Sequence, residues 1–314
     1  MNDPVLSLQD VTKTYGDFTA VSEVSFSIPH GSIYGFLGPN GAGKTTIIRM
    51  ILDILRPDSG QIAVLGHDSA MAVRNRIGYL PEEKGLYKKM KVWAIISYFA
   101  SLKGLDRKTA KRRAHELLEK YGLADFAEAK VESLSKGMGQ KVQVISAIAH
   151  DPELIILDEP FSGLDPVNQE VLEQLIRDIA SEGRTIIFST HIMQHAERLC
   201  DRLLLITGGR KIFDGTVSEA RSIIPRRVTL QTATDITHLQ SLPGVLAVHR
   251  NEEEDDAGEP TWDLHLEEHS DPQSILRLCF EQNMALTRFD YTRASLHDVF
   301  VHLVGHDAGE QTFR

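Results

Sequence analysis

The residues best placed to do chemistry are Gly38-Pro39-Asn40-Gly41-Ala42-Gly43-Lys44-Thr45, which match G-x-x-x-x-G-K-[ST] without a gap. This spelling grips a polyphosphate. The glycines let the backbone curl so that successive N–H groups point at phosphate oxygens. Lys44 supplies a compact cation for the terminal phosphates, and the Thr45 hydroxyl is a ligand for Mg²⁺ shared with them. A helix starting at Lys44 aims its positive end at the same anion.

The loop needs a strand before it and a helix after it. Ser32 to Leu37 reads as a short buried strand, and Lys44 to Leu55 as the helix. Upstream, Val5 to Val11 and Val24 to Ile28 alternate like half-buried strands, and Gly60 to Gly66 and Arg76 to Leu80 read as two more. Residues 88–150 are a mostly helical insertion with apolar faces at Val92–Phe99 and Ala114–Leu118. Two α/β units follow. The apolar runs Leu154–Leu157 and Thr185–Thr190 end in Asp158-Glu159 and His191, and Pro166 opens a helix reaching Ser181 between them. Strands without polar alternation belong to a parallel sheet covered on both faces, and the carboxyl ends of such strands are where ligands bind.

Composition changes after Ile224. Pro225-Arg226-Arg227 reads as a linker into shorter elements of order βαββαβ: Val228–Leu230, a short helix near His238, Val245–His249, Trp262–Leu266, Pro272–Gln282 and Ala285–Tyr291. This suggests a ferredoxin-like unit, closed by a last helix over Ser295 to Val304. The acidic run Glu252 to Gly258 falls between two of these strands and reads as a solvated hairpin tip.

The formal charge of −10 argues against general nucleic-acid binding. The start, Met1-Asn2-Asp3-Pro4, lacks the regions of a signal peptide, and there is no apolar run long enough to span a bilayer. Cys200 and Cys279 have no metal-site spacing and read as reduced core thiols in a cytoplasmic protein.

The companions of the loop, in order, are Tyr15, Leu80-Pro81-Glu82, Leu134-Ser135-Lys136-Gly137-Met138, Leu154 to Glu159, Ser162-Gly163-Leu164-Asp165 and His191. With them, residues 1–224 resemble the nucleotide-binding domain of an ABC transporter ATPase. The resemblance implies an α/β fold: a P-loop core with a mixed, mainly parallel sheet, an antiparallel β subdomain and the helical insertion, followed by the α+β ferredoxin-like domain at 225–314. It implies ATP and Mg²⁺ as ligands. Tyr15 would stack on the adenine, and Gly38, Pro39, Asn40, Gly41, Ala42, Gly43, Lys44, Thr45 and Thr46 would hold the phosphates. Thr45, Glu82 and Asp158 would organise Mg²⁺. Glu159 would be the general base that polarises the attacking water, and His191 the switch that contacts the γ-phosphate. Ser135 and Gly137 would close on ATP bound to a second copy, in a head-to-tail homodimer with Asp165 at the same interface.

Two residues depart from the family pattern. Lys136 stands where the usual Leu-Ser-Gly-Gly-Gln has glycine, and Glu82 replaces glutamine, exchanging an amide for a full charge with no donor. The segment Leu80 to Tyr87, the Lys-Gly-Met variant and the ending Ser295 to Phe300 are similar to a bacterial exporter subfamily related to sodium-export ATPases. The expectation is an ATPase subunit at the inner face of the cell membrane, driving a separate ABC-2-type permease and peripheral to the membrane through it. The basic cluster around Lys88, Lys89, Lys91 and Arg107 to Arg113 would face that subunit and anionic headgroups. The competing readings are a soluble ATPase acting on ribosomes or DNA, and a weakly hydrolysing regulatory module.

Overall fold

The computed structural model describes residues 3–83, 85–254, 259–267 and 270–311. The chain divides into two compact units, Met1–Thr216 and Val217–Arg314.

In the first unit, β1 (Leu6–Tyr15) and β2 (Phe18–Ile28) form an antiparallel ribbon. β3 (Ile33–Leu37) is buried throughout and runs into the glycine loop, and α1 (Lys44–Ile51) leaves it. β4 (Ser59–Val64) returns to pair with β1, giving a three-stranded sheet of order β2-β1-β4. The helix expected to reach Leu55 stops at Ile51. The amides of Ile54 and Leu55 fold back onto the Arg49 carbonyl at 2.9 and 3.1 Å, Asp53 takes a left-handed φ of 57°, and Pro57 follows.

Next come β5 (Ile77–Leu80), α2 (Val92–Leu102), α3 (Arg107–Lys120) and α4 (Lys136–Ile148). The alternation β6 (Leu154–Leu157), α5 (Pro166–Ser181), β7 (Thr185–Thr190), α6 (Met193–Leu199), β8 (Arg202–Thr207) and β9 (Arg210–Thr216) completes the unit. The central sheet has the order β5-β6-β7-β3-β8-β9, parallel except for β9. The α/β reading of this part therefore holds, including the antiparallel subdomain and the helical insertion. Strands β8 and β9 were not anticipated; β9 is largely polar, and only its pairing with β8 identifies it.

The apolar spelling of β6 and β7 has its cause in two cores. One sheet face packs against the helical insertion and α5 through residues such as Val142, Ile145, Leu172 and Ile176. The other packs against α1 and the antiparallel sheet around Phe26, Tyr34 and Phe36. Phe26 and Phe36 meet edge to face with centroids 5.4 Å apart, a geometry that adds to their burial.

The second unit contains α7 (Val217–Ser222), β10 (Arg226–Gln231), β11 (Val245–Glu254), β12 (Pro260–Leu266), α8 (Pro272–Glu281), β13 (Arg288–Thr292) and α9 (Leu296–Gln311). Its sheet is antiparallel with order β11-β12-β10-β13, and a 3₁₀ turn at Thr237–Ser241 stands in place of the first helix. This is the ferredoxin-like order. Val228, Leu230, Leu264 and Leu266 pack on Ile275 and Cys279 of α8. Arg226 and Arg227 are not linker: they open β10, because their backbones pair with Leu266 and His265 while their side chains stay out of the core. The acidic run reaches β11 through Glu254, and residues 255–258 of it lie outside the described residues. Among the described residues, no helix is long and apolar enough to cross a membrane.

Candidate functional site

Two glycines of the loop are fixed by space. A Cβ on Gly38 would collide with the Ile206 carbonyl of β8, and one on Gly43 (φ 104°) would lie 2.6 Å from the Ala20 carbonyl oxygen. The loop is thus clamped between β2 and the β8–β9 turn, where Gly209 donates to the Ala42 carbonyl at 3.1 Å. The Lys44 ammonium donates to the carbonyls of Gly38 (2.7 Å) and Pro39 (3.1 Å). It also lies 3.7 Å from Glu159 Oε1. Burial pulls its pKa below the ordinary lysine range, opposed by the charges of Glu159, Asp158 and Glu82.

Asp158 follows β6 and is buried. Its Oδ1 accepts from Ser189 Oγ at 2.5 Å and, more weakly, from Thr45 Oγ1 at 3.4 Å. Its Oδ2 is buried with no hydrogen-bond partner among the described residues. A buried, undonated carboxylate oxygen is costly unless a cation faces it. A hard cation accepts this donor set of one carboxylate, one hydroxyl and phosphate oxygens, so the residues fit Mg²⁺.

Glu159 has a left-handed φ of 46°, strained for a side chain of this size. Its amide donates to Ser189 Oγ at 2.8 Å. Its carboxylate lies between Lys44 and His191, whose Nδ1 is 3.1 Å from each of its oxygens. One buried hydroxyl, at the end of β7, therefore anchors both acids.

The structure brings together Lys44, Thr45, Asp158, Glu159 and His191. Glu82, exposed after β5, reaches them only through its field, felt at Lys44 and Tyr79. Tyr15 stands half exposed at the end of β1, with Lys13 Nζ 5.8 Å from its ring centroid. Ser135 and Gly137 make no hydrogen bond to the loop among the described residues. Ser135 instead caps α4 by accepting from Met138 N at 3.2 Å. Gly137 packs so tightly on Asn168 that a Cβ would collide with its amide, and Asn168 N donates to Asp165 Oδ1 at 3.0 Å. Within one chain, Gly137 touches the segment after Glu159 rather than the loop. Much of the basic cluster is compensated: Lys91 pairs with Glu128 at 2.6 Å, and Lys111 lies 4.7 Å over Trp93.

Sequence reasoning missed Ser189 and a second contact behind the acid pair. His195, one turn into α6 from His191, stacks on Phe161 with centroids 4.1 Å apart. Its Nδ1 is 2.9 Å from Glu173 Oε1. Glu173 is buried and flanked by Arg177 at 3.7 Å and Arg198 at 3.6 Å. The contact joins residues flanking Glu159 and His191. The available signals were a serine in an otherwise apolar strand and a second histidine at helical spacing from the first.

A glycine loop between strand and helix, with a buried aspartate and an adjacent glutamate at the end of β6 in the same mainly parallel sheet, defines a P-loop nucleotide-binding ATPase. The chain belongs to the ABC transporter ATP-binding proteins. The ABC transporter family model matches residues 21–162, and the model described as ATP-binding protein DrrA1-3-like, C-terminal domain, matches residues 215–304. The ABC transporter ATP-binding protein YhaQ of Bacillus subtilis is 40% identical over 302 residues, covering 96% of this chain and 99% of that one. The Nod factor export ATP-binding protein I of Ralstonia nicotianae is 33% identical over 315 residues, covering 97% and 95%. A solved structure of the ATP-binding subunit of an ABC transporter superposes with a TM-score of 0.62 at 32% identity, covering 69% of this chain and 92% of that one. The protein is an ATPase of this family.

Proposed function

We propose that this chain is the ATP-hydrolysing subunit of an export system, working as a head-to-tail homodimer that drives a separate ABC-2-type permease from the inner face of the membrane. The loop amides and Lys44 hold the triphosphate. Thr45, Glu82 and Asp158 would hold Mg²⁺, which when bound would neutralise developing phosphate charge. Glu159 orients and deprotonates the attacking water, while His191 fixes the Glu159 carboxylate and reaches toward the γ-phosphate. Tyr15 offers a face to the adenine. Ser135 and Gly137 act on the ATP of the opposite copy, which accounts for their distance from the loop of their own chain.

The observation that carries this reading is the position of Glu159. Its carboxylate lies between Lys44 and His191, beside an aspartate with a bare buried oxygen. A cavity of about 360 Å³ between the Glu82 loop and the insertion, lined by Pro81, Leu86, Phe99 and Leu102, supports docking of an apolar segment of the permease. Export is supported by relatives such as the Nod factor export ATP-binding proteins. Glu159→Gln tests the reading: it should keep ATP binding, abolish turnover and trap a dimer with ATP and Mg²⁺. A variant that stays monomeric or still turns over contradicts it.

A further inference from the structure

At one end of the second unit's sheet, three arginines meet around a single cavity. Pairing sets Arg226, the first residue of β10, opposite Leu266, the last of β12, and Val245 at the start of β11 opposite the same leucine. Arg227 pairs with Thr292, so Arg293 leaves β13 beside the start of β10. Arg221 of α7 joins Arg226 and Arg293 in lining a cavity of about 250 Å³, with Ser218, Leu246 and Glu267 also in its wall.

Besides Arg221, the wall holds Arg226 and Arg293 against the single carboxylate of Glu267, a local balance opposite in sign to the chain's formal charge of −10. The neighbouring Arg227 behaves differently, with its Nε 3.8 Å from Asp263 Oδ1. Among the described residues, neither Arg226 nor Arg293 has a carboxylate within 4 Å. Gathering like charges costs Coulomb energy that a bound anion relieves, and the planar guanidinium fork matches phosphate oxygens. The cavity is smaller than the usual pocket for a large organic ligand, and half-exposed Leu246 gives it an apolar rim.

We propose that this cavity binds a small phosphate ester, with Arg226 and Arg293 on the phosphoryl oxygens and Leu246 against the adjoining carbons. The ester could be free in solution or the headgroup of an anionic phospholipid. The site is independent of the nucleotide loop and of the reading above.

The test uses the full chain with its nucleotide loop saturated by ADP and Mg²⁺, so that phosphate probes cannot enter the loop. Glycerol 3-phosphate is titrated by calorimetry, and vesicles of phosphatidylglycerol are compared with phosphatidylcholine by flotation. Binding of the free ester identifies a soluble ligand, and binding of phosphatidylglycerol vesicles alone identifies a headgroup. In either case Arg293→Gln should weaken binding about tenfold, and Arg226→Gln with Arg293→Gln about a hundredfold, with ADP affinity unchanged. The exposed Arg293 position makes the single variant safe for folding. If neither probe binds the wild type, or binding survives the paired substitution, the proposal is wrong.

Discussion

Ser189→Ala perturbs the site at its most economical point. Ser189 is fully buried, and its Oγ both donates to Asp158 Oδ1 at 2.5 Å and accepts from the Glu159 amide at 2.8 Å. Alanine removes a charge-assisted hydrogen bond, about 1.5–3 kcal/mol, and leaves the Glu159 N–H without its acceptor, about 1–3 kcal/mol. Taking the lower part of each range, the variant should lose about 3 kcal/mol of unfolding free energy. The rate effect is larger. Glu159 holds a strained φ of 46°, and the Ser189 bond is what pins its amide there. Once released, the carboxylate can drift from the line of water attack, and a misplacement of about 1 Å costs about a hundredfold in rate. The loop amides and Lys44 are untouched, so KM for ATP should move little. The assays are steady-state phosphate release and chemical denaturation on the same preparation. Hydrolysis within twofold of wild type, with unfolding free energy unchanged, would refute the role given to Ser189.

Further expectations follow from the same geometry. The His195–Phe161 stack should align His191 with Glu159, so His195→Gln, which keeps a hydrogen-bonding group for Glu173 but loses the stack, should lower kcat about tenfold at constant KM. His195→Phe, which keeps the stack, should retain most of the rate; equal losses in both variants would assign His195 to folding alone. His150 has its pKa pulled down to about 4, chiefly by burial, and its Nε2 is 3.1 Å from the Ile77 carbonyl. The unfolded chain therefore binds the extra proton as pH falls below about 6.5, and between pH 7 and 5 the protein should lose about 2 kcal/mol of stability, an effect that His150→Asn should flatten in denaturation curves at the two pH values.

How much was legible beforehand depended on whether the determining contacts were local. The glycine loop, β6, β7 and α5 were readable because each is specified by consecutive residues: glycines, apolar runs, and Pro166 behind its cap Asp165. The convergence of Thr45, Asp158, Glu159 and His191 followed from their places just past strand ends or, for Thr45, in the first turn of the helix leaving the loop. Ser189 and the His195–Phe161–Glu173 contact went unread, since their partners lie 22 to 34 residues away and a lone serine in an apolar strand or a second histidine one turn on does not say which residue it meets. Arg226 and Arg227 were misread because two charges after a proline look like a linker, whereas a strand's ends tolerate charge when the side chains leave the core. The long form of α1 failed because apolar Ile54 and Leu55 continued the helical pattern that Asp53 had already ended.

The central claim is that each ATP is split between two copies, and mixing two disabled chains tests it directly. Lys44→Ala removes the loop's cation, and Ser135→Arg blocks the surface offered to the other copy. Each variant alone should be silent in single-turnover hydrolysis. Mixed in equal amounts, half of the randomly formed dimers pair one chain of each kind and carry one intact site, so about a quarter of the wild-type sites should fire. If the mixture stays silent, or Ser135→Arg hydrolyses ATP at full rate by itself, the shared site does not exist.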